Sequence, residues 1–91
     1  MEQLTKEDKT QQLYQVLAQI QDPVQIEALL EDMCTRKEIE NMAERLYAAK
    51  LLIEGNTYNQ VMERAEISSA TLSRVSRCVQ YGKGYSELLK K

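Results

Sequence analysis

No histidine occurs in the 91 residues, and the two cysteines, Cys34 and Cys78, stand far apart in the chain. The usual Cys/His zinc spacings are therefore excluded, as is catalysis that depends on an imidazole. Neither thiol has a resolving cysteine nearby, so a redox centre finds no support, and reduced thiols of a cytosolic protein account for both. Long apolar runs are missing too. None approaches the ~20 residues needed to cross a bilayer, and the opening MEQLTKEDK is too polar and acidic for a secretory signal. Paired carboxylates such as Glu38/Glu40 and Glu31/Asp32 read as solvated helix faces. No nucleophile sits beside a base, so no catalytic residue is expected and the chain is not read as an enzyme.

Overall positive charge is also lacking: 12 Lys and Arg stand against 14 Asp and Glu, for a net charge of −2. The charge is nevertheless uneven. Residues 1–56 carry six basic and eleven acidic side chains, whereas residues 57–91 carry six and three. A locally basic second part beside an acidic scaffold is compatible with a polyanionic partner such as nucleic acid. With 43% apolar and 29% charged residues, the chain has the composition of one small, soluble globular domain.

The apolar positions repeat at helical spacing nearly throughout. Leu13, Val16, Leu17 and Ile20 form a stripe within a first predicted helix over residues 5–21, capped by Thr5 with Asp8 at the box position. The one proline, Pro23, follows Asp22 and suits the first turn of a second helix, predicted from Pro23 to about Met33 with Ile26, Leu29, Leu30 and Met33 on one side. Thr35-Arg36-Lys37-Glu38 is a T-x-x-E capping box that opens a third helix to about Glu54, stopped by Gly55 and Asn56. Ile39, Met42, Leu46, Ala49 and Ile53 form its apolar face. Ala43, Tyr47, Lys50, Leu51 and Leu52 widen that face enough to require cover on more than one side.

Residues 57–80, TYNQVMERAEISSATLSRVSRCVQ, organise the chain. Thr57 and Gln60 form a T-x-x-Q capping box for a helix from Tyr58 to about Ala65. Glu66-Ile67-Ser68 is the turn. Ser68 or Ser69 caps a second helix that continues to about Gln80, with Gly82 as its stop. Val61 and Ala65 share one face of the first helix, and Leu72, Val75 and Val79 share one face of the second, with Ile67 placed to plug the angle between them. This is the packing pattern of a helix-turn-helix. The other face of the second helix carries Ser69, Ala70, Ser73, Arg74 and Arg77, with Thr71 at its edge. Serine and threonine are mediocre helix formers, so a face chosen for stability would hold Glu, Lys or Gln instead. Small residues and hydroxyls allow close approach to base edges, and two arginines can reach phosphate or guanine. Beyond Gln80, Tyr81 to Tyr85 is expected as a loop. Ser86 is expected to cap a last short helix containing Leu88 and Leu89, and Lys90 and Lys91 form a basic end.

A chain of this size is marginal alone, and two short C-terminal helices cover only part of three broad apolar faces. A homodimer would supply both the missing cover and a second reading head one turn of DNA away.

From Cys34 onward, CTRKEIENMAERLYAAKLLIEGNTYNQVMERAEISSATLSRVSRCVQ resembles the tryptophan repressor family, and within it the small YerC/YecD group of Gram-positive bacteria. The shared features are the T-x-x-E start at Thr35, Arg45 ten residues later, the Glu54-Gly55 break and the ATLSR run with Arg74. The resemblance implies an all-α, intertwined homodimer of about six helices. Residues 1–56 would hold the dimerisation helices, 57–80 the helix-turn-helix, and 81–91 a terminal loop and short helix. It implies a bacterial, cytoplasmic transcription factor that binds double-stranded operator DNA as a repressor. Ser68, Ser69, Ala70, Thr71, Ser73, Arg74 and Arg77 would then face the DNA, and Tyr58, Asn59 and Gln60 would touch its backbone. Arg45 and Arg74 stand at the positions of the two arginines that sandwich the corepressor in that family. The glycine after the second arginine is Val75 here, and the pocket serine three positions further on is Cys78. A valine in that slot fills indole space, so tryptophan is not expected as the corepressor. Another small effector, or none, fits the same residues, and no cofactor is required. The alternative is a helical protein-interaction module on the same scaffold, distinguished by the salt dependence of DNA binding.

Overall fold

The fold comes from a computed structural model that describes residues 3–90, so Lys91 lies outside the described residues. Six α-helices, and among the described residues no strand, follow one another: α1 (Lys6–Gln19), α2 (Pro23–Met33), α3 (Arg36–Ile53), α4 (Tyr58–Arg64), α5 (Ser69–Tyr81) and α6 (Gly84–Leu89). Residues up to Thr35 and residues from Arg36 onward form two compact units.

In the first unit, local signals set the helix ends. The Thr5 hydroxyl accepts from the Asp8 amide at 3.0 Å and the Asp8 carboxylate accepts from the Thr5 amide at 3.2 Å, a reciprocal capping box. Helix α1 stops at Gln19 rather than at residue 21, because Ile20 and Asp22 are already extended. Asp22 is drawn out of the helix by the following proline and caps α2, its carboxylate accepting from the Val24 amide at 3.0 Å. Neither α1 nor α2 contains a buried residue. Their expected core stripes are largely open, with Val16, Leu17, Ile26 and Met33 all exposed and Leu13, Ile20, Leu29 and Leu30 half-buried. The periodicity located the apolar face, but the packing of α1 and α2 leaves most of it open.

The second unit holds the core: Ala48, Ala49 and Leu51 of α3, Val61 and Ala65, and Leu72 and Val75 of α5. Leu52, Met62, Ile67, Val79, Tyr85 and Leu89 pack around them. Helix α3 is buried only along its C-terminal half. Leu46 and Tyr47, expected to be covered, are exposed, and the alanines Ala48 and Ala49 meet the neighbouring helices instead. The α3 terminus closes as a Schellman motif. The Gly55 amide bonds the Leu52 carbonyl and the Asn56 amide bonds the Leu51 carbonyl, at 3.1 and 3.0 Å. Gly55 has φ +100°, a conformation that side chains disfavour. The Asn56 side-chain amide also bonds the Leu51 carbonyl, and its oxygen accepts from Arg64 Nη1.

Helix α6 differs from expectation. It begins at Gly84, and Ser86 lies inside it rather than capping it. The Ser86 hydroxyl donates back to the carbonyls of Gly82 and Lys83. The expected five-residue loop shrinks to Gly82 and Lys83. Glycine is required at 82 because a Cβ there would lie 2.7 Å from the Cys78 carbonyl oxygen, at the end of α5.

Candidate nucleic-acid interface

Helices α4 and α5 are joined by a turn over residues 65–68 and packed by the residues whose spacing suggested it. Val61 and Leu72 are fully buried, Ala65 and Val75 nearly so, and Ile67 is half-buried against the core. The turn carries caps at both ends. Thr57 and Gln60 form the expected reciprocal box at the start of α4, with distances of 2.8 and 3.2 Å. The Ser68 hydroxyl accepts from the Thr71 amide and donates to the Thr71 hydroxyl at 2.9 Å. Ser68, not Ser69, is therefore the cap of α5.

Helix α5 is more sharply two-sided than α1, α2 or α3. Ser68, Ser69, Ala70, Ser73, Arg74 and Arg77 are all exposed, Thr71 is half-buried at the edge, and Leu72 and Val75 point into the core. Among the described residues, no carboxylate pairs with Arg74 or Arg77. The two guanidiniums thus present a full set of donors, beside the exposed Tyr81 and next to the small residues Ser69, Ala70 and Ser73.

Two contacts that sequence reasoning did not anticipate fix this face. The Glu44 carboxylate of α3 accepts from the Glu66 amide at 2.9 Å, tying the turn to the central helix. The Tyr58 hydroxyl donates to the Ser69 carbonyl at 2.7 Å and lies 3.1 Å from Ser73 Oγ, tying the start of α4 to the first turns of α5. Their partners lie 22 and 11 residues away in the chain, beyond the reach of any local pattern. Asn59 and Gln60 are exposed beside Tyr58, and the Gln60 side-chain oxygen Oε1 is engaged in the cap, accepting from the Thr57 amide.

Arg45, Arg74, Val75 and Cys78, the expected effector residues, line one cavity of about 510 Å³ together with Thr71 and Tyr85. Tyr85, from α6, had no signal in the sequence that linked it to this group. Val75 is only 2% exposed and lines the cavity as part of the packed core. Both cysteines are free thiols.

The Trp repressor protein family matches residues 8–91, nearly the whole chain. The chain belongs to the Trp repressor family. Within that family it is similar to the uncharacterized protein YerC of Bacillus subtilis (strain 168). The two are 38% identical over 77 residues, which cover 85% of this chain and 74% of YerC. Two solved structures share the fold. A TrpR-like protein from Eubacterium eligens ATCC 27750 superposes with a TM-score of 0.85 at 35% identity, covering 93% of this chain and 89% of that one. A candidate Trp repressor from Staphylococcus aureus superposes with a TM-score of 0.83 at 29% identity, covering 89% and 82%. The all-α Trp-repressor-like architecture and the YerC-group resemblance are thus both established. Among the described residues, no helix is long and apolar enough to cross a membrane.

Proposed function

We propose that this Trp repressor family member is a sequence-specific DNA-binding transcriptional regulator, acting as a repressor in the bacterial cytoplasm and reading a symmetric operator as a homodimer. The observation that carries this reading is the exposed face of α5, where two arginines with no carboxylate partner among the described residues stand among hydroxyls and an alanine while the opposite face is locked into the core. Such a face suits insertion into a major groove. Arg74 and Arg77 would contact guanine edges or phosphates. Ser68, Ser69, Ala70, Thr71 and Ser73 would line the approach to the bases. Asn59 and Gln60, with Tyr58 behind them, would lie along the backbone and fix the register.

The homodimer is supported by what one chain leaves open. Tyr14, Val16, Val24 and Met33 in the first unit, and Leu46 and Tyr47 on α3, are all more than 40% exposed. Apolar faces of this extent on a small soluble protein call for a partner surface. Residues 1–56 would serve as the dimerisation part, residues 57–80 as the reader and residues 81–91 as the closing segment, within one functional domain. Family membership supports a regulator over an enzyme.

The cavity between α3, α5 and α6 is proposed as the effector site, if an effector acts. Val75 reduces its depth and Cys78 offers a weaker hydrogen-bond partner than a serine hydroxyl, so tryptophan is not the expected ligand. Selection of bound sequences from random duplex DNA by the purified protein tests the whole reading. A two-fold symmetric consensus and a steep fall of affinity with salt are expected. Absence of any consensus, with salt-insensitive capture of a protein instead, would favour the helical interaction module.

A further inference from the structure

The hydroxyl network at the start of α5 has a fixed direction. The Ser69 carbonyl can only accept, so the 2.7 Å contact takes the single hydroxyl hydrogen of Tyr58. The 3.1 Å contact between Tyr58 Oη and Ser73 Oγ must then be donated by Ser73. The only hydrogen of the Ser73 hydroxyl is thereby turned toward Tyr58, and what this exposed side chain has left for an outside partner is lone pairs. Tyr58, in turn, has no hydrogen left to give to a phosphate.

We propose that Tyr58 is a positioning residue that makes Ser73 an obligate acceptor, so that α5 selects a base with an exocyclic amino group at the position Ser73 faces. The inference rests on the DNA-reading function proposed above. In the major groove adenine and cytosine offer amino donors, whereas guanine and thymine offer carbonyl acceptors. A free serine hydroxyl rotates to suit either. A serine whose hydrogen is committed meets an acceptor with lone pair against lone pair, and discriminates. Tyr58 thus converts a sequence-tolerant side chain into a selective one without touching the base.

The test uses the full chain and its selected operator, with every single-base variant titrated against three proteins. Ser73→Ala locates the position, because its loss of selectivity is confined there. At that position the wild type prefers adenine or cytosine over guanine or thymine by roughly fivefold, the worth of one net hydrogen bond. Deleting the amino group of the preferred base costs the wild type the same factor. Tyr58→Phe keeps the ring and frees the Ser73 hydroxyl, so its preference at that position falls below roughly twofold while preferences elsewhere stand. A Tyr58 that merely held the helices together would weaken all sequences evenly. Retention of the full preference in Tyr58→Phe, or a wild-type preference for guanine or thymine there, overturns the proposal. Should Tyr58→Phe lose its helical signal, the amino-deleted operator with the wild type decides alone, and an unchanged affinity overturns it. If the wild type binds no duplex at all, the regulator reading and this inference fall together. If it binds and shows no such preference, only the inference falls.

Discussion

Replacing Arg74 with alanine separates the two tasks that the surface of α5 could perform. The side chain is exposed and contributes nothing to the core around Leu72 and Val75. Alanine is at least as good a helix former as arginine, so stability should change by no more than about 0.5 kcal/mol. Each operator meets two copies in the proposed dimer. Loss of one guanine contact per copy, at about 1–3 kcal/mol each, removes about 2–6 kcal/mol, or roughly 30-fold to more than 10⁴-fold in affinity. A gel-shift titration at fixed salt, with sedimentation to follow the dimer, reads this directly. The salt dependence then assigns the contact. If Arg74 meets bases, selectivity relaxes at two symmetric positions and the slope of log K against log salt is unchanged. If it meets phosphates, all sequences weaken together and the slope falls by about 1.8. A variant that keeps the dimer and binds the operator within about twofold of the wild type would refute the assignment of α5 as the reading helix.

Three further outcomes follow from particular contacts. Glu44→Ala removes the acceptor for the Glu66 amide and should cost about 1–2 kcal/mol. Amide exchange at Glu66 should accelerate more than at the core of α5, and unchanged protection there would count against the tie. Gly55→Ala forces a side chain into φ +100° with no compensating contact within 4 Å, and should cost about 1–2 kcal/mol in thermal denaturation. Calorimetric titration of the wild type with tryptophan should give no micromolar binding if Val75, 2% exposed beside the cavity, takes the proposed place of the indole ring; a Kd in that range would sink this account of the cavity.

Much of the fold could be read before any coordinates. Thr5, Asp22, Thr57 and Ser68 each cap a helix that the sequence predicted, because a cap acts over two or three residues of chain. Gly55 and Gly82 end helices for equally local reasons. The buried face of α5 was legible from Leu72, Val75 and Val79 alone, since a regular helix converts spacing into direction. Ser86 misled because a serine after a glycine pair looks like a cap. Helix α6 instead begins at Gly84, three residues before the start that a Ser86 cap implies, and the hydroxyl is left to bond backward.

The sequence by itself determined that there are six helices, where most of them begin, and which side of each long one is apolar. Helical periodicity and capping are properties of neighbouring residues, and nothing distant can override them cheaply. Only the tertiary structure decided which apolar faces find cover: those of α4 and α5 hold buried residues, whereas α1 and α2 hold none. It also decided that Glu44 meets the turn, that Tyr58 meets Ser73, and that Tyr85 joins Arg45 and Arg74 around one cavity. Those contacts depend on the angles and offsets at which helices pack. Such angles are set by the shapes of many side chains together, with Ala48 and Ala49 permitting close approach, and no short stretch of sequence encodes them.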